Sequence, residues 1–191
     1  MRYLALLRGI NVGTSGRIRM DMLKRLLENA GFREVVTYIQ SGNVLFESDL
    51  AEDSARATIE RALQEGASIT TTAIVRTSEE LSQIIRDCPF SAQEIAHAQA
   101  INTEGESLYV CLLPKIPDER AFDSLSSVEL GSDAHVVCGR EIYLLLSQSI
   151  RNSKLAIRLQ KLVPGMTVRN WNTMAQLCAL AFPSKETERI I

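Results

Sequence analysis

The sequence predicts an α+β protein made of two ferredoxin-like βαββαβ repeats, each followed by an extra helix, with mainly antiparallel sheets. Three observations carry this reading. Strand-like and helix-like stretches follow one another in the order β-α-β-β-α-β. A further helical pattern trails that unit, and the plan then recurs. Val75-Arg76 ahead of one terminal helix also corresponds in place to Val168-Arg169 ahead of the other. Residues 1–88 are thus expected to form the first repeat, 89–106 a connector, 107–183 the second repeat and 184–191 a frayed tail.

Each element has a local reason. Arg2 to Leu7 is apolar at odd and even positions alike, which suits a central strand covered on both faces. Leu23, Leu26, Leu27 and Ala30 have helical spacing, with Asp21 expected as N-cap, Gly31 as stop and Phe32 packing back. Val35 to Gln40 and Val44 to Ser48 read as strands joined by the Ser41-Gly42-Asn43 turn. Asp53 to Glu65 is expected to be helical, with Gly66 ending it. Ile69 to Arg76 reads as a strand, and Thr77 with Glu80 as the capping box of a helix that buries Leu81, Ile84, Ile85 and Cys88. The connector holds a short helix with Ser91 and Glu94 as its capping box. In the second repeat, Leu108 to Leu113, Ala134 to Cys138, Ile142 to Leu146 and Met166 to Arg169 are the strands. Asp118 to Leu125 and Ser153 to Leu162 are the helices, and Asn172 caps the last one.

Bulk properties exclude several classes. With 191 residues, 46% hydrophobic and 23% charged, the chain has the makeup of an ordinary soluble domain. A net charge of −2 gives no global attraction to nucleic acid or anionic membranes. No apolar run approaches the roughly 18 residues that span a bilayer, and Arg8 interrupts the opening run too early for a signal peptide. The expected location is cytoplasmic. Cys88, Cys111, Cys138 and Cys178 lack metal or redox spacing and read as small buried hydrophobes. His97 and His135 have no triad or ligand partners, so neither a metal nor a cofactor is expected.

Chemistry concentrates at one predicted edge. In a split βαβ unit the end of the first strand and the hairpin turn share an edge, about 10 Å apart at two strand spacings. The first helix begins there, with unpaired N–H groups and the positive end of its dipole. Arg8, Asn11, Arg17, Arg19, Gln40, Ser41 and Asn43 can approach one spot, with Gly9, Gly13 and Gly16 admitting close backbone approach. Donors and positive charge without a carboxylate pair suit an anionic or polar ligand. The bland alternative is a tight turn with solvated arginines. Arg169 and Asn170 either complete such a site or, with Trp171, simply pack. Tyr3 and Phe46 are reminiscent of RNA-stacking aromatics, but the surrounding residues do not fit the RNA-recognition motif.

Leu6-Leu7-Arg8-Gly9-Ile10-Asn11-Val12-Gly13, Thr37-Tyr38-Ile39-Gln40-Ser41-Gly42-Asn43-Val44 and Thr167-Val168-Arg169-Asn170-Trp171-Asn172-Thr173 together resemble the bacterial family called domain of unknown function 1697. Pro89-Phe90 and Ser153-Lys154-Leu155 are similar to weaker motifs of that family, and the resemblance runs from Met1 to about Leu180. It implies a cytoplasmic bacterial α+β protein with two ferredoxin-like halves, and it brings no activity with it. Where the family usually has lysine after Gly13, this chain has Arg17 and Arg19, which tells against a lysine nucleophile. The leading expectation is a small anionic or phosphorylated ligand bound by Arg8, Asn11, Gln40, Ser41 and Asn43. An interaction or oligomerisation module is the alternative. Nucleic acid stands third, requiring Arg17, Arg19, Lys24 and Arg25 to form one exposed stripe. No general base stands out, so no reaction is assigned.

Overall fold

β1 (Arg2–Leu7) is the strand the first half is built on, and from Tyr3 onward both of its faces are buried. The computed structural model describes residues 1–13, 16–118, 120, 122, 125 and 131–182. After β1 come α1 (Met20–Asn29), β2 (Arg33–Tyr38), β3 (Asn43–Glu47), α2 (Glu52–Ala67), β4 (Ala73–Thr77) and α3 (Ser78–Arg86). The strands form one sheet in the order β2-β3-β1-β4, antiparallel throughout. The second half holds α4 (Ala92–Ile101), β5 (Leu108–Leu112), β6 (Ala134–Cys138), β7 (Glu141–Leu145), α5 (Lys154–Leu162), β8 (Thr167–Asn170) and α6 (Trp171–Ala181). Its sheet runs β6-β7-β5-β8, again antiparallel. This is the expected fold class: two four-stranded antiparallel sheets interleaved with helices in a ferredoxin-like repeat arrangement. The chain divides into two compact units, residues 1–85 with the segment from Ala175, and residues 86–174.

In the first unit, Tyr3, Ala5 and Leu7 of β1 join Val44 and Phe46 of β3 and Val75 of β4 in one core. Leu23 and Leu27 of α1 and Ile59 and Leu63 of α2 complete it. Tyr3 stacks on Phe46 at 5.5 Å between centroids, and Phe32 meets Phe46 edge-on at 4.7 Å. These rings are therefore core, closed to any nucleic-acid base. In the second unit, Cys111, Ile142 and Leu144 of the sheet pack with Leu155 and Leu159 of α5.

The repeat shows at the level of single bonds. β4 pairs with β1 and β8 with β5, each as the strand before a final helix. Arg76 Nη1 donates to the carbonyl of Val75 at 2.9 Å, and Arg169 Nη1 to that of Val168 at 2.9 Å. Thr77 Oγ1 then accepts the Glu80 N–H, and Asn170 Oδ1 accepts the Thr173 N–H, so each strand runs into a helix through a side-chain cap.

Several local expectations change. Asp21 is not the N-cap of α1: that position is Arg19, and Asp21 sits in the first turn, held by both arms of the Arg19 guanidinium at 3.0 Å. Gly66 does not end α2, which runs to Ala67 and closes on Ser68 at φ +55. Gly66 is instead where α2 meets α1, because a Cβ there would strike Leu26. Asn172 does not cap α6; Asn170 does, and Asn172 donates to Glu106. β4 starts at Ala73, leaving Ile69 to Thr72 outside the strand. The capping boxes at Thr77/Glu80 and Ser91/Glu94 form as expected. Apart from 118, 120, 122 and 125, the helix expected over Asp118 to Leu125 lies outside the described residues, as does the tail from Ser184.

Candidate functional site

The edge at the end of β1 is drawn together more tightly than two strand spacings. The turn's last residues lead into β3, the direct neighbour of β1, so Leu7 N–H donates to Gly42 O at 2.8 Å. Gly42 has φ +74, and a Cβ there would sit 2.9 Å from the Cβ atoms of both Leu7 and Ile10. Glycine is required at that contact.

Asn11 organises the loop that follows. Its backbone is left-handed at φ +56, a conformation asparagine tolerates better than other side-chain-bearing residues. Its Nδ2 donates to Ile18 O at 2.9 Å and Gln40 O at 2.8 Å, and its Oδ1 accepts Ile18 N–H at 2.9 Å. One side chain thus ties the loop, the approach to α1 and the hairpin turn together. Asn43 does similar work inside the hairpin: it is fully buried and donates to Tyr38 O at 3.1 Å and Ser41 Oγ at 2.9 Å. Arg17 folds back onto Gly13 O. Asn170 caps α6, and Arg169, in the second unit, is bonded to Thr167 Oγ1 and Val168 O. Burial pulls the Arg169 guanidinium down to about 10, which still leaves it charged at neutral pH.

Arg8 differs from all of these. Its backbone is clamped from both sides: N–H to Thr72 O at 3.0 Å, and C=O accepting Thr71 Oγ1 at 2.7 Å. Its side chain is exposed and makes no hydrogen bond or ion pair among the described residues. It borders a depression of about 580 Å³ walled by Gly9, Gly16 and the Ser68 to Thr72 segment. The protons of Thr70 and Thr71 are committed to Gln64 Oε1 and Arg8 O. The hydroxyls of Ser68 and Thr72 have no partner among the described residues. The available side-chain donors are therefore one guanidinium and two hydroxyls, and no acidic residue lines the walls.

The sequence expectation joined this arginine to the turn residues, whereas the surface distributes them over two depressions. Asn11, Arg17 and Gln40 line a second one, of about 600 Å³, with Ile18, Arg19, Met20 and Asp21. The sequence expectation places Thr70 to Thr72 inside the strand Ile69 to Arg76 and assigns Ser68 no role, so these hydroxyls go unnoticed in it. Three consecutive threonines ahead of Ala73 were the available signal, since a strand entering a buried sheet rarely begins with three polar residues.

The other chemistries find little support. Arg19 is paired with Asp21 and Lys24 with Glu28, which breaks the basic stripe that nucleic acid would need. Among the described residues, no three His, Cys, Asp or Glu side chains gather as a metal site, and no helix is long and apolar enough to cross a membrane.

The profile of one family, described as protein of unknown function (DUF1697), matches residues 1–143. The chain belongs to the DUF1697 family. Among solved structures, the conserved bacterial protein SP0830 from Streptococcus pneumoniae is similar: 20% identity, TM-score 0.73, covering 95% of this chain and 98% of that one. At that identity the likeness establishes the fold alone. No curated protein matches significantly. DUF1697 membership thus agrees with the motif resemblance and fixes the architecture; it assigns no ligand.

Proposed function

We propose that this DUF1697 protein binds a small anionic ligand, a phosphorylated one by preference, beside Arg8 at the end of β1. The observation carrying this is the uncommitted Arg8 side chain over a depression that offers free hydroxyls and no acidic residue in its walls. An exposed arginine without a carboxylate partner, on a backbone clamped at both N–H and C=O, presents its charge from a fixed base. Ser68 and Thr72 supply the hydroxyl donors, and Gly9 and Gly16 keep the approach to backbone open. Asn11, Ser41 and Asn43 act by holding the loop and turn in place. Arg17 and Gln40 lie on the neighbouring depression, where a larger ligand would extend. Arg169 and Asn170 have structural work in the second unit and are not needed for this reading.

Calorimetric titration with inorganic phosphate and with small sugar phosphates tests it. Saturable binding that weakens at least tenfold in Thr72→Val supports the assignment. Binding absent in wild type, or unchanged in that variant, removes it.

A further inference from the structure

We propose that β6 is a docking edge and that its partner is β6 of a second copy of this chain. Among the described residues, β6 lies at the margin of the second sheet and pairs on one side only, with β7. Edge strands are normally protected by charge, proline or a bulge, because their free N–H and C=O groups template pairing. Its repeat counterpart β2 has such protection. The ladder there shifts register between Arg33 and Val36, Glu34 is left-handed at φ +48, and Arg33 is ion-paired with Asp49.

β6 has none of it. Ala134-His135-Val136-Val137-Cys138 carries no carboxylate, lysine, arginine, proline or glycine, and its register against β7 is unbroken. Its side chains are partly exposed, Val137 by 38%. Beyond the β7 ladder, its residues make no backbone hydrogen bond among the described residues.

The ladder settles which groups face outward. Leu146 N–H bonds Ser107 O and Leu113 N–H bonds Arg140 O, so the even residues of β7 face β5 and the odd ones face β6. Ala134, Val136 and Cys138, opposite those odd residues, therefore bond inward, and His135 and Val137 turn their N–H and C=O out. A two-fold axis through Val136 sets His135 against Val137 of the second copy, and the reverse. All four outward groups of each strand are then paired with no frame slip. No formal charge meets its like across that axis at neutral pH. A second copy offers the same uncharged, unbroken edge, so it meets every outward group without setting like charges face to face. Five residues bury little area, so the dimer is weak, on the order of 10–100 µM.

Sedimentation or light scattering over a concentration series reads this directly. We expect the mass to rise from 21.2 kDa toward twice that value. Val137→Pro, which removes an outward N–H and leaves the β7 bonds, and Val136→Lys, which sets two charges face to face on the axis, should each shift association at least tenfold higher in concentration. Val36→Lys on β2 should not. Only variants with wild-type circular dichroism and melting count, and the lysine variant decides if the proline variant does not fold. A wild type monomeric throughout, or association equally strong in Val136→Lys, overturns the proposal.

Discussion

Asn11 shows why a polar residue in a ligand-like loop need not touch a ligand. Its side chain is spent on three hydrogen bonds that close the loop, and its backbone occupies a conformation an alanine resists. At about 1 kcal/mol per bond, with a further 1 kcal/mol for the left-handed backbone, we expect Asn11→Ala to lose about 2–4 kcal/mol in urea denaturation. Asn11→Gly should lose less, because it relieves the backbone. Equal losses would contradict this reading. Neither the pairing of Asn11 with Ile18 nor that of Asn43 with Tyr38 is visible in the sequence. Both follow from where the loop and turn land once β1 and β3 pair. Arg8 was legible as a candidate because it follows an apolar strand; its freedom from a carboxylate became visible only when Asp21 was seen to take Arg19 and Asp49 to take Arg33.

Among the elements, strands and helices with clean periodicity were readable and their ends were not. β1 and β3 are set by apolar residues, and the capping boxes of α3 and α4 by side chains that satisfy local N–H groups. α2 passed through Gly66 because packing on Leu26 outweighs glycine's poor helix propensity. That has a measurable consequence. Gly→Ala inside a helix usually gains about 0.5–1 kcal/mol. Gly66→Ala should forfeit that gain, leaving the melting temperature unchanged or lower, since Leu26 must move. A rise of several degrees would show that the two helices do not need the glycine. Asn170 rather than Asn172 caps α6 for a similar reason: β8 extends to Asn170 in register with Tyr109, which fixes where the helix begins.

For the molecule as a whole, the repeat is legible in the sequence as element order, whereas the bond-level correspondence between Arg76 and Arg169 emerges only in the fold. Acid sensitivity also belongs to this scale. Arg19 and Arg33 hold Asp21 and Asp49 below the usual carboxylate range, and Ser91 does so for Glu94. Burial holds His135 below 6.5. The unfolded chain thus binds protons more readily at all four groups, so stability rises with pH. The histidine contribution is complete above 6.5 and fades as pH falls through its folded value; the carboxylates follow only below about pH 4. Wild type should become easier to denature as pH falls below 6.5, and His135→Gln should flatten that step. An unchanged step would place it elsewhere.

The central claim is that Arg8 receives an anion, and thermal denaturation of wild type and Arg8→Ala with nucleotides, sugar phosphates and simple anions tests it most directly. The Arg8 side chain is exposed and unpaired among the described residues, so the variant alone should melt within a degree or two of wild type. A ligand at a hundred times its dissociation constant adds about 2.7 kcal/mol, raising the wild-type midpoint by roughly 5–10 °C. The expected result is one phosphorylated class that stabilises wild type and leaves Arg8→Ala unmoved. No stabilisation by any compound, or equal stabilisation of both proteins, would contradict it.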